Sequence, residues 1–465
     1  MHLVDYAIVV VYLGVLLWLG LIGRLRRDSS AGEIILGGRM LTLPAFVASL
    51  VSTWYGGILG VGEYSFRYGL SNWLVFGLPY YLAAALFAIF LARRARESEL
   101  LTIPQRLGQV YGEKTALAGA TVIFIMTVPA AYILMLGVLC QFLFDWPIWP
   151  GILGGTLFSI VYVYTGGFRS VVRTDLFQFG LMFAGFAMLL TILYARYGGI
   201  TFLETNLPAA HLTWHGGNSA WYIAVWYVIA LATLIEPAFY QRCYAARTPQ
   251  TARRGIFISI ACWCLFDFMT TSCGLYARAL LPALPDPVGS YPALARMVLP
   301  AGLLGLFALA LLAIVMGTVD SYSFLAASTY GNDVAPRLRF VDDSRISFHT
   351  RVGLVISTGL AVVMALFFRS VVDIWYTLGS IGTPALLVPV FFAFVGQRRL
   401  PPRVAFASIL SSGAISLVWY LSSHLTTDGE YWWRLQPIFP GLVWSLILFA
   451  LFSRRSAGPN LPPGR

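Results

Sequence analysis

Long apolar runs alternate with short polar breaks along the whole chain. Stretches such as "YAIVVVYLGVLLWLGLIG" and "LLGLFALALLAIVMG" carry almost no polar position. At a rise of about 1.5 Å per residue, some 20 such residues cross the hydrocarbon layer as a helix. The pattern predicts thirteen spans, centred near residues 13, 55, 82, 130, 157, 184, 230, 265, 315, 360, 384, 412 and 443. Strict residue-by-residue alternation, the mark of a closed membrane barrel, is missing. The fold class is therefore all-α and polytopic. A content of 58% hydrophobic and 11% charged residues in 465 agrees, being far from that of a soluble domain.

Charge adds the orientation. The net charge of +11 would suit nucleic acid if it were gathered on one soluble face, but it is spread over loops between spans. With the N-terminus outside, the cytoplasmic loops and tail hold 25 of the 31 Lys and Arg, including Arg24–Arg26–Arg27, Arg93–Arg94–Arg96, Arg253–Arg254 and Arg398–Arg399. The segment 198–220 holds none. This asymmetry predicts an N-outside, C-inside multi-pass protein of a cell membrane, with a bacterial inner membrane as the expected setting. The basic loops face anionic headgroups, so lipids are expected partners and nucleic acid is not. "MHLVD" has neither a basic leader region nor a cleavage site, so the first span reads as retained. No loop leaves room for a soluble domain. Residues 1–453 read as one transmembrane domain and 454–465 as a short disordered cytoplasmic tail. Cys140, Cys243, Cys262, Cys264 and Cys273 have neither disulfide nor metal spacing and read as packing residues.

Two spans are interrupted. Span two contains "LVSTWYGG", continuing to Gly60 and Gly62. Span seven contains "ATLIEPAFYQR", where Pro237 removes a backbone donor and disfavours helix at Glu236. They lie five spans apart, as broken helices do in transporters built from inverted repeats. Acids at Glu63, Asp175, Glu236, Asp267, Asp320 and Asp373 lie in or at the ends of spans, where charge is costly, and no Lys or Arg is placed to pair with all of them. A cation or a proton is left to supply the positive charge. In span nine, Gly317, Thr318, Asp320 and Ser321 share an arc of roughly 160° at about 100° per residue, with Val315, Val319 and Tyr322 turned away. Oxygens on one face suit a hard monovalent cation. An unwound "STWYGG" would supply main-chain carbonyls opposite them. The alternative is that these hydroxyls bond back to their own helix and Asp320 is protonated.

Four segments in order, "LGGRMLTLPAFVASLVSTWYGG", "YVYTGGFRSVVRTDLFQFG", "FYQRCYAARTPQTARRG" and "IVMGTVDSYSFLAASTYGND", resemble the signatures of the sodium:solute symporter family. The resemblance implies a LeuT-type 5+5 inverted repeat (spans 2–6 and 7–11), with one helix before it and two after. It implies a sodium site from Ser52 and Tyr55 in the break and Ile314, Gly317 and Thr318 in span nine. Gly317 stands where family members commonly carry Ser, so one hydroxyl of the usual pair is lost. It further implies a second cation site in some relatives, here Asp175 with Asp320 and Ser321. Sodium is then the coupling ion, with a proton as the alternative.

The breaks and span eleven, "IWYTLGSIGTP", suggest a substrate pocket of Trp54, Tyr55, Glu63, Glu236, Trp375, Tyr376, Ser380 and Thr383. Aromatics with two acids favour an amino- or ammonium-bearing solute over an anion or a sugar. The competing reading has Glu63 and Glu236 bracing loop backbone. The arginines of "FYQRCYAARTPQTARRG" read as positive-inside anchors, with a gating role for Gln241 and Arg242 as the alternative. The expected activity is symport of a small organic solute by alternating access, in a monomer or weak homo-oligomer. A non-transporting sensor on the same fold and a membrane-embedded enzyme are the other classes. The five histidines sit in termini, loops or helix edges, which speaks against an enzyme.

Overall fold

The computed structural model describes residues 1–22, 29–338, 346–368 and 371–455. The basic cluster at Arg24, Arg26 and Arg27, residues 339–345, and residues 456–465 of the expected tail lie outside the described residues. Helix is the dominant element: α1 (Leu3–Leu21), α2 (Leu43–Trp54), α3 (Ile58–Tyr68), α4 (Leu78–Phe90), α5 (Glu113–Met126), α6 (Ala130–Phe144) and α7 (Ile148–Tyr197) form the first part. The rest comprises α8 (Ala220–Ile229), α9 (Pro237–Ala245), α10 (Pro249–Leu280), α11 (Leu303–Thr329), α12 (Ile346–Phe367), α13 (Val371–Val395), α14 (Pro402–Leu421) and α15 (Ile438–Phe452).

Ten helices among the described residues are long and apolar enough to cross a membrane. An eleventh span is formed by α2 and α3, bent by 61°. Shorter apolar helices at Ile148–Val161 and Ile438–Phe452 cover the remaining predicted centres. The loop expected between spans five and six is reduced to a kink within α7. There Gly167, at φ 58°, takes a left-handed turn that other residues reach only under strain. A third interruption joins the two read from the sequence: span four breaks at Thr127–Pro129, between α5 and α6. Pro129 cannot donate to a continuing helix.

α11 is the centre of the molecule, with 89% of its most apolar window buried. Its sequence is hydrophobic on every side, which suits a helix enclosed by protein rather than lipid. Asp5 of α1 tops it: Oδ1 accepts from the Gly302 and Gly305 N–H groups at 2.7 and 2.8 Å, satisfying donors that a helix start leaves free. At the far end of the chain, Arg454 and Arg455, the start of the expected tail, pair antiparallel with Arg399 and Arg398.

Candidate functional site

The two breaks have different local causes. In span two the helix stops at Trp54 and restarts at Ile58. A side chain on Gly56 would run into the Thr318 side chain, and one on Gly57 into the Trp375 ring. Both glycines are therefore required by close approach of α11 and α13. In span seven, residues Ala230–Ile235 tighten into a 3₁₀ turn, Glu236 turns extended, and Pro237 opens α9. Glu236 caps that helix, its Oε1 accepting from Ala238 N–H at 3.4 Å, and also accepts from the Tyr322 hydroxyl at 2.9 Å.

Around the first break, Thr318 Oγ1 donates to the Thr53 carbonyl at 2.9 Å and lies 3.4 Å from that of Ser52 and 3.3 Å from that of Ile314. Ser52, Ile314 and Thr318 thus meet at one point. The Tyr55 hydroxyl turns the other way, onto Asp267 and Thr270. Gly317 contributes no side-chain oxygen. Its bare Cα is ringed instead by Ser52 Oγ, Gln178 Oε1 and Asp175 Oδ1, which lie 2.7, 2.8 and 3.5 Å from where a Cβ would stand. None of these three buried atoms has a hydrogen-bond partner.

Within the trio Asp175, Asp320 and Ser321, the hydrogen bonds run to different neighbours. Asp320 accepts from Ser159 of α7. Asp175 and Ser321 face Arg242, which is wholly buried at the end of α9. Arg242 was assigned above, from the sequence, to the cytoplasmic anchors. It is held inside by hydroxyls and a carboxylate from three other helices, which no local rule could reveal.

Between the breaks lies a cavity of about 240 Å³. Six of the eight expected pocket residues line it: Trp54, Tyr55, Glu236, Trp375, Tyr376 and Ser380. Two do not. Glu63 instead pairs with Arg67 one turn on, at 3.1 Å, and Thr383 is fully buried elsewhere along α13. The lining also contains residues left unassigned above, chief among them Asp267, which accepts from the Tyr55 and Tyr81 hydroxyls. Its signal was present as an acid within span eight, but its direction depends on how α10 packs. Tyr132, Tyr322 and Trp375 form one aromatic group, with ring centroids 5.1 to 5.9 Å apart. Trp54 packs edge-on against Phe239 at 5.1 Å and near Tyr80 at 6.1 Å. Among the described residues, no Lys or Arg lines the cavity.

Known proteins share this architecture. The sialic acid symporter solved in a Na+-coupled, substrate-bound, outward-open state superposes with a TM-score of 0.79 over 98% of this chain and 100% of its own, at 16% identity, which shows a common LeuT-type fold. The osmoregulated proline transporter OpuE of Bacillus subtilis is 23% identical over 93% of this chain and 91% of its own length. The sodium/pantothenate symporter of Haemophilus influenzae is 25% identical over 62% of this chain, which spans only 60% of that relative. The profile of the sodium:solute symporter family matches residues 34–411. With the broken helices, the central α11 and the cavity between the breaks, that match over most of the chain makes this protein a multi-pass transporter rather than an enzyme: it belongs to the sodium:solute symporter family.

Proposed function

We propose that the protein couples sodium to the uptake of a small ammonium-bearing solute. One observation carries the solute class: the cavity is walled by aromatic rings, holds two carboxyl groups, Glu236 and Asp267, and has no basic side chain in its lining. Ring faces attract a cation, and two acids in a water-poor site favour one further. A carboxylate solute would meet these acids unpaired. The names of the relatives do not decide this, since they include carriers of proline, pantothenate and sialic acid and, in human, a choline transporter 26% identical over 94% of this chain.

For the ion, the proposed ligands are the Ser52 and Ile314 carbonyls with Thr318 Oγ1, joined by Tyr55 through its main chain. The Thr318 hydroxyl now spends its proton on the Thr53 carbonyl. Turning that proton away would aim an oxygen lone pair at an incoming ion. Sodium would then hold the break of span two against α11. Trp54 and Trp375 would thereby be fixed on the cavity, so that ion and solute favour the same state. On the N-outside topology the cavity lies on the outer side of this cluster.

The test is thermal unfolding of the purified protein with choline, proline, a sugar and a monocarboxylate, each in sodium and in potassium. A ligand that binds only the folded state raises its stability. Stabilisation by an ammonium solute in sodium alone is expected. Glu236→Gln and Asp267→Asn should each weaken it at least tenfold, about 1.4 kcal/mol. Stabilisation by the monocarboxylate alone would overturn the solute class. A response to pH without one to sodium would make the proton the driving ion.

A further inference from the structure

Arg242 is the largest fully buried side chain among the described residues. Its guanidinium reaches into an oxygen cage built by three helices distant in sequence, α2, α7 and α11. Nη2 lies 2.7 Å from Thr53 Oγ1, 2.8 Å from Ser321 Oγ and 3.4 Å from Asp175 Oδ2. Nε donates to Ser49 Oγ at 3.2 Å, and Nη1 to Gln241 Oε1 at 3.0 Å. The cage is tied within itself, since Ser49 Oγ donates to Asp175 Oδ2 at 2.6 Å and Thr53 and Ser321 hydroxyls lie 2.8 Å apart. The Phe168 ring lies below the guanidinium, 5.4 Å from its carbon.

A carboxylate with three hydroxyls is a donor set suited to a monovalent cation. Here one tethered nitrogen already meets three of those oxygens. A free ion entering the same cage would have to displace bonds to a permanently charged group and then sit beside that charge. The oxygens of this cage, with Asp175 taking part through Oδ2, therefore fit a guanidinium and do not fit a free cation in its place. We propose that Arg242 is a built-in cation which takes the Asp175–Ser321–Thr53–Ser49 cage, so that this transporter binds one sodium ion per chain. The inference rests on the sodium-coupled reading above and fixes its stoichiometry. It also gives the cage a mechanical role. Because Arg242 sits on α9 while Asp175 and Ser321 sit on α7 and α11, the bond set locks the cytoplasmic half of both broken spans to their neighbours without an ion. A second ion would come and go with each cycle, whereas this one does not leave.

The experiment is equilibrium binding of radioactive sodium to the purified full chain, with potassium as the balancing cation and no organic solute. The wild type is expected to saturate at one ion per chain with a Hill coefficient of 1. Arg242→Gln should raise the count to two, because the cage is left with its oxygens and no cation, and Arg242→Lys should hold it at one. Two ions in the wild type, or one in a folded Arg242→Gln, would overturn the built-in cation. Should Arg242→Gln fail to fold, the wild-type count and the Lys variant still decide. No sodium binding at all would instead overturn the sodium-coupled reading itself.

Discussion

The breaks in spans two and seven do the same geometric job by opposite chemistry. The first is made of glycine and neutral oxygens: Gly56 lies against Thr318, and the freed Ser52 and Thr53 carbonyls meet its hydroxyl. The second is made of proline and charge, with Glu236 capping α9 at one end and Arg242 buried near the other. A break whose freed carbonyls meet only a hydroxyl can accept and release a mobile ion, even though the Thr53 side chain is held by Arg242. A charged break carries its own counter-ions and holds its shape. The two halves of the repeat thus divide the labour between a region that responds to solution and a region that does not.

The largest expected effect comes from removing charge at the second break. Arg242→Met leaves the Asp175 carboxylate buried with Ser49 as its remaining hydrogen-bond donor. It should cost about 3–5 kcal/mol of stability, seen as a lower unfolding temperature in detergent. Adding Asp175→Asn should recover most of that loss, and a single variant as stable as wild type would show that the charge does not hold the break. Next, Gly56→Ala drives a methyl group into Thr318 and should cost about 1–3 kcal/mol and abolish stabilisation by sodium. An unaltered sodium response there would separate the first break from the ion. Thr318→Val should weaken sodium binding about tenfold while costing about 1 kcal/mol of stability, so affinity and folding are read apart in one variant. Gly317→Ser places a hydroxyl among three partnerless oxygens, and sodium affinity should hold or rise.

The smallest effect lies outside both breaks. His211, in the connection between α7 and α8, bonds the Phe66 carbonyl through Nε2 at 3.0 Å, leaving a buried Nδ1 without a partner. Burial lowers its pKa, and Arg278 adds to this against the Phe66 bond. Its contribution is complete above the ordinary imidazole range near pH 6.5 and is lost as pH falls through the lowered value, because the unfolded chain takes the proton first. The wild type should lose slightly more stability than His211→Gln between pH 7.5 and 5.5. Equal losses would remove the ring from account.

How much could be read from the chain follows from how local each cause is. Apolar run length gave the span positions, and Gly56–Gly57 and Pro237 gave two breaks, since each acts on its own backbone. Pro129 carried the same signal in "TVPAA" and marks the third break. Direction across the fold was not legible. Glu63 and Asp267 are both acids within spans, yet the first meets Arg67 on its own helix and the second meets two tyrosines from distant helices. Arg242 is the clearest case. The rule that puts arginine at cytoplasmic helix ends explains its position in sequence, and so conceals that four remote oxygens draw it inside.

Asp5 has a consequence for how the chain is made. Its two amide partners, Gly302 and Gly305, lie 297 and 300 residues later. At a synthesis rate of about 5–20 residues per second, the first helix must wait about 15–60 s for them. Of the three amide partners of Asp5 in the fold, only that of His2, 2.8 Å from its Oδ2, is made before then. The central helix, for its part, emerges with its leading N–H groups exposed. This one contact therefore cannot close in the order of translation: the first helix can lean on α7, where Ser170 bonds the Gly20 carbonyl at 2.9 Å, but its head is fastened only once the central helix has emerged.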